Sequence, residues 1–216
     1  MTKITRIEPQ KRNQSRYSLY INDAFAFGIS EDVYIRHRKS LEVGSEIRQS
    51  FIDEVITAEE IQKTMDSALH LLSFRNRSEK ELRNRLQQKG YEENWIDTTL
   101  EKLKSYHYIN DESFARTLAK DRQNMKKLGQ RALKAELKQK GIHSDIITEV
   151  VDELCTEEKE LEQAMMLCEK RYRSLEGKDI APKINQKLTQ FLIRKGYSYD
   201  VAGKAIRNVI ANNNAE

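Results

Sequence analysis

Apolar and polar residues alternate in the first part of this chain and fall at helical spacing in the rest, with the change near residue 58. Ile4 to Ile7, Arg16 to Ile21 and Ala24 to Ile29 are short alternating runs, the pattern of half-buried strands. Asn22-Asp23 between the last two is turn chemistry. Ser30 is placed to cap a short helix from Glu31 to Arg38. The expectation is a small antiparallel sheet with one helix. Tyr17, Tyr20, Phe25 and Phe27 are assigned to its core, with a stacking surface for bases as the competing assignment.

Beyond residue 58 the pattern repeats. Three segments align on Lys-Gly pairs: Glu81 to Gly90, Ala132 to Gly141 and Lys187 to Gly196. Each carries leucines eight and four residues before its glycine, on one helical face. Each glycine suits the left-handed residue that stops a helix. A second apolar set follows every glycine: Trp95, Leu100 and Leu103, then Ile146, Val151 and Leu154, then Val201, Ile206 and Val209. A further helical stretch precedes each unit, over 59–74, 113–125 and 159–172. The unit is therefore three helices, occurring three times. Ser78-x-x-Glu81 reads as a capping box, Asp111 as a cap and Pro182 as a first-turn proline. The expected fold is mainly α: an elongated array of three tandem three-helix repeats behind a small N-terminal antiparallel β-containing domain. The expected divisions are 1–58 for the β-containing domain and 59–110, 111–158 and 159–216 for the repeats.

Composition sharpens this picture. Of 216 residues, 33% are charged and 38% hydrophobic, with only 8 Gly and 2 Pro, so long regular elements must dominate. No phosphate loop, dinucleotide fingerprint, H-E-x-x-H or G-x-S-x-G occurs. The four histidines lie far apart, and Cys155 and Cys168 are too few for a disulfide framework or a four-ligand zinc site. Catalytic residues, metal ligands and cofactors are expected to be none. The start of the chain has no apolar signal core, and no run approaches membrane-spanning length, so a cytoplasmic protein is expected.

Net charge is only +4, but it is segregated. Arg116 to Lys140 holds nine basic residues against Asp121 and Glu136, while Asp145 to Glu162 holds eight acids against Lys159. The runs from Phe74 to Lys89 and from Lys170 to Lys195 are also basic. Aligned on a repeating scaffold, such segments form a stripe for a phosphate backbone or an acidic protein groove. The candidate binding residues are Arg116, Lys120, Lys127, Arg131, Lys134, Lys138, Arg75, Arg83, Lys187 and Arg194. With no base-reading motif, any DNA binding is expected to have weak sequence preference. Trp95, Tyr106, His107 and Tyr108 are assigned to packing.

Three stretches resemble the RecX family of RecA modulators: Arg77-Ser78-Glu79-Lys80-Glu81-Leu82, then Tyr108-Ile109-Asn110-Asp111-Glu112-Ser113-Phe114-Ala115, then Gly129 with Leu133, Leu137 and Lys140-Gly141. The likeness covers about residues 60 to 212, and the N-terminal part resembles the β-containing region of longer members. The third repeat diverges, with no counterpart of Asn-Asp-x-x-Phe-Ala at Thr156 to Leu161. The resemblance implies a curved three-repeat protein in the groove of the RecA–DNA filament. It would inhibit recombinase, coprotease and ATPase activities by blocking growth or promoting disassembly. Implied partners are the RecA filament and single- and double-stranded DNA, with no membrane and a monomeric chain. The alternative is a helical DNA-binding module of low sequence selectivity acting without RecA.

Overall fold

Alternation in the N-terminal segment builds one sheet. A computed structural model describes residues 2–176 and 180–213. Strands β1 (Thr2–Gln10), β2 (Asn13–Ile21) and β3 (Ala24–Ser30) form an antiparallel meander, and the two-residue β4 (Glu46–Ile47) adds to β1, giving the order β3-β2-β1-β4. Asn22 and Asp23 both have positive φ (48° and 67°), the geometry of a tight two-residue hairpin. The inner face brings Ile4, Leu19 and Ile29 against Val33 of α1 (Glu31–His37) and Val55 of α2 (Gln49–Phe74). Ser30 Oγ accepts the Val33 N–H (3.4 Å), capping α1 as expected. The four aromatic residues divide between the faces. Tyr17 and Phe27 join this core, whereas Tyr20 and Phe25 pair with each other across the strands outside it. A bulge between Leu19 and Tyr20 shifts the register there.

The expected division at 58 falls inside a helix. Helix α2 runs unbroken for 26 residues, because Val55 and Glu59 face the sheet while Ala68 joins the first repeat's core. Glu59 is buried and bonds Arg16 Nη2 (2.6 Å) and the Ser30 N–H (2.7 Å). Removing one partner of such a pair costs about 3–5 kcal/mol.

Eight α-helices follow α2 among the described residues: α3 (Glu79–Gln88), α4 (Glu93–Ser105), α5 (Asp111–Asp121), α6 (Gln130–Gln139), α7 (Ser144–Leu154), α8 (Glu157–Leu175), α9 (Ala181–Arg194) and α10 (Tyr199–Asn213). Three cores result, one per three-helix repeat. Leu82 and Leu86, Leu133 and Leu137, and Leu188 and Leu192 are all buried in them. In α4, Ile96 is buried and Trp95 half-buried. Ile96, Leu100 and Leu103 have the four-three spacing of one face, while Trp95 lies off it. Pro182 sits in the first turn of α9. Asn110 rather than Asp111 caps α5, accepting the Ser113 N–H (2.8 Å); Asp111 accepts the Glu79 N–H instead (2.9 Å).

The chain forms two compact units, Met1–Asn76 with Leu82–Ile109, and Arg77–Glu81 with Asn110–Glu216. Each middle helix ends as its glycine requires. Gly90, Gly141 and Gly196 have φ of 88°, 83° and 97°. The next residue's N–H bonds back to the second leucine: Tyr91 to Leu86 O, Ile142 to Leu137 O and Tyr197 to Leu192 O, at 3.2–3.3 Å. This closes each helix in a Schellman turn.

Within the second unit these ends also serve as docking points. Gly129, which has no side chain to cap α6, donates its N–H to Lys195 O (2.9 Å), and Arg131 N–H bonds Gly196 O (3.0 Å). Glu160 accepts the Gln130 N–H (2.6 Å), and Tyr197 Oη donates to Lys127 O (2.9 Å). The donors left open at a helix start thus meet carbonyls left open at a helix end. The opening turn of α3 makes a related contact with Lys140-Gly141: Ser78 Oγ donates to Lys140 O (2.7 Å) and Lys140 Nζ bonds Glu81 (2.6 Å).

Substituting the stop glycines ranks these roles. A Cβ at Gly90 meets nothing within 4 Å, whereas one at Gly196 collides with the backbone of Ala132. Gly90→Ala should therefore lose about 1–2 kcal/mol, the left-handed cost alone, and Gly196→Ala clearly more. Urea unfolding of both variants checks the order, and equal losses would show that the joint yields freely.

Candidate functional site

The densest basic run folds as α5, a π-helical turn over Arg122–Lys126, and α6. The wide turn is held from inside. Arg122 grips Glu136 of α6 with Nε at 2.7 and 3.0 Å from the two carboxylate oxygens. Buried Gln123 donates to Leu154 O (3.2 Å) and Cys155 Sγ (3.0 Å). Lys127 then leaves in the left-handed conformation, φ 50°. Met125 and Lys126 are exposed, Met125 to 81%, and Lys127 is half-buried. π-Turns are frequent at functional sites.

On α6, Arg131, Lys134 and Lys138 are spaced three and four apart on one face; Arg131 and Lys138 are exposed, and Lys134 is half-buried at the edge of the leucine face. The acidic run does not form a separate face. Arg116 on α5 bonds Glu112, Glu149 (2.6 Å) and Glu153, the last two from α7. Three carboxylates around one guanidinium leave it nothing to offer a phosphate. Lys134 stands 3.6 Å from Asp152 of α7. In the first unit Arg83 is held by Glu93 and by Asp97 (2.6 Å) of α4. Arg83 and Lys134 both lie seven residues before their stop glycine, and each meets a carboxylate of the following helix.

Among the described residues, Lys120, Lys127, Arg131 and Lys138 have no ion pair, and Lys126, not singled out from the sequence, belongs with them. All five lie in the second unit. Arg75 is exposed in the first unit and donates to Asn76 O (2.8 Å). In the third repeat Lys187 is half-buried on α9 and Arg194 is exposed, bonding Gln190 O (3.3 Å). Lys178 and Asp179 of that repeat's charged run lie outside the described residues. Tyr106 and Tyr108, expected to pack, are 67% and 60% exposed. His107 between them takes a left-handed φ of 60°, which ends α4 and turns both rings outward.

Neither cysteine is disposed for catalysis. Cys155 is half-buried and Cys168 buried. Burial pushes the thiols up from 9.0 to about 11 and about 12 respectively. Among the described residues no cluster of three or more His, Cys, Asp or Glu could hold a metal ion. No helix there is long and apolar enough to cross a membrane.

Against known proteins, residues 2–48 match the regulatory protein RecX N-terminal domain. Residues 65–103, 110–151 and 157–206 match the first, second and third three-helix domains of RecX. The chain belongs to the RecX family. A RecX regulatory protein of Clostridium perfringens (strain 13 / Type A) is 36% identical over 98% of both chains. One from Clostridium beijerinckii is 34% identical over 98% of this chain and 97% of its own. A crystal structure of regulatory protein RecX superposes with a TM-score of 0.81 at 28% identity, covering 96% of this chain and all of that one. RecX from Lactobacillus salivarius gives 0.65 at 28% identity, over 71% and 99%. The two Clostridium relatives and the first crystal structure are named regulatory proteins.

Raised thiol pKa values carry a sign. The stability they contribute is complete below the unfolded value near pH 9 and is lost as pH rises through about 11 to 12. Both cysteines should react with a disulfide reagent far more slowly in the folded chain than in urea at pH 8. Full labelling of the folded chain at the unfolded rate would contradict the burial described.

Proposed function

We propose that the chain binds the RecA–DNA filament and inhibits its recombinase, coprotease and ATPase activities, acting in the cytoplasm as a regulator without catalysis of its own. Membership of the RecX family supports the partner. The observation that supports the surface is the set of unpaired cations on and beside the π-turn and α6: Lys120, Lys126, Lys127, Arg131 and Lys138. Such cations are free to neutralise phosphates or the carboxylates of an acidic groove. The reading includes Lys134, Arg75, Lys187 and Arg194 as peripheral contacts. It assigns Arg116 and Arg83 to intramolecular pairing.

RecA ATPase on single-stranded DNA, measured with a substoichiometric dose of this chain and DNA in large excess, tests the partner. Loss of ATPase is the expected result. Inhibition that disappears with added bare DNA would instead favour a low-selectivity DNA-binding module acting without RecA.

Reversing Lys120, Lys127, Arg131 and Lys138 to Glu should weaken filament binding while the leucine core stays folded. If phosphates are the contact, each lost cation should reduce the salt slope of binding by about one. Arg116→Ala should leave affinity near wild type. Titration of both variants against preformed filaments checks this, and unchanged affinity in the fourfold variant removes the surface from the mechanism.

A further inference from the structure

The N-terminal sheet has a second face that its own core does not use. Ile7, Leu19 and Phe27 turn toward α1 and α2. The register places Arg6 of β1 opposite Tyr20 of β2, and Tyr20 opposite Phe25 of β3. These three residues form one row across three strands. The Arg6 guanidinium lies 3.8 Å over the Tyr20 ring, and the Phe25 ring meets Tyr20 edge-on, centroids 5.9 Å apart at 77°. Tyr20 Oη donates to Glu8 (3.0 Å), and Glu8 stands 3.7 Å from Arg6. The carboxylate thus holds both the ring and the guanidinium in place. Despite these contacts the Arg6 side chain is 57% exposed and Phe25 59% exposed.

Phenylalanine has no polar atom to repay exposure on a strand, and a guanidinium layered on a ring offers a flat, weakly hydrated surface. Guanidinium planes and aromatic rings side by side are the chemistry on which unstacked bases lie. Charge agrees. From Thr2 to Ser30 the strands and their turns hold five basic residues, Lys3, Arg6, Lys11, Arg12 and Arg16, against Glu8 and Asp23. Lys3, Lys11 and Arg12 are exposed and without an ion pair among the described residues, free to face phosphates. Arg16 is not available, being held by Glu59.

We propose that this face is a stacking platform for single-stranded DNA, with bases lying on Phe25 and on the Arg6–Tyr20 layer. A duplex keeps its base faces inside its own stack, so the platform selects single strands. The choice of DNA rests on the function proposed above; the platform itself rests on the sheet.

The test uses the full chain and labelled oligo(dT) at low salt, read by anisotropy. Phe25→Ala should weaken binding by about fivefold or more, as loss of one stacked base does, while binding to duplex of equal length is unchanged. Phe25→Trp should retain affinity, and the introduced indole should lose emission as oligo(dT) is added. In a Lys127→Glu, Arg131→Glu background the Phe25 dependence should persist. No binding of oligo(dT) by the wild-type chain, an unchanged affinity in folded Phe25→Ala, or an equal loss on duplex would overturn the platform. Tighter binding of oligo(U) with the same Phe25 dependence would overturn the assignment to DNA. Phe25-dependent binding by a chain that leaves RecA ATPase untouched would sustain the platform and sink the filament reading instead.

Discussion

A left-handed residue ends the middle helix of every repeat, and much of the second unit is arranged around that ending. A side chain with a Cβ pays about 1–2 kcal/mol to take such a φ, and glycine does not. Once the chain turns there, the last carbonyls of the helix face outward with no partner of their own. In the second unit they find one: Lys195 O and Gly196 O accept the N–H groups of Gly129 and Arg131 at the start of α6. One backbone geometry therefore terminates a helix and joins it to another. Gly129 follows from the same constraint, since a Cβ there would come within 2.7 Å of Gly196 C and Tyr197 N.

Charge is arranged by a different rule. The basic and acidic runs are adjacent in sequence because they belong to helices that pack together, and much of their opposition is spent within the repeat. Exposed pairs add little to stability, but they decide which cations remain available. Arg116 is surrounded by carboxylates, while Lys126 is left exposed on the π-turn and Lys127 half-buried just after it. The cations left without a carboxylate stand on a backbone fixed by Arg122 and Gln123.

Much of the fold was legible because it rests on local rules. Leucine pairs, stop glycines, Ser30 and the Asn22-Asp23 turn each act through neighbours a few residues away. Where the structure departs from the pattern, some reasons are distant contacts and some are local geometry that composition does not reveal. Nothing near residue 58 announces that α2 continues, since its reason is Glu59 meeting Arg16 and Ser30 across 43 and 29 positions. Spacing after Gly90 puts Trp95 with Leu100 and Leu103 on the inward face, yet Ile96 takes the buried position and Trp95 is half-buried. The exposure of Tyr106 and Tyr108 goes with the left-handed φ of His107, a conformation that residue type alone does not indicate. The candidate cations were visible as a run, but their availability was not, because Glu149 and Glu153 lie more than thirty residues from Arg116.

Helix α2 has one further consequence. At about 1.5 Å per residue its 26 residues extend roughly 39 Å on a single ladder of backbone hydrogen bonds. The sheet's core closes on one part of that ladder, at Val55, and the first repeat's core on another, at Ala68. Neither can open fully while the other keeps the helix intact. The β-containing segment and the first repeat are thus expected to open as one foldon, exchanging amide protons and yielding to proteases together.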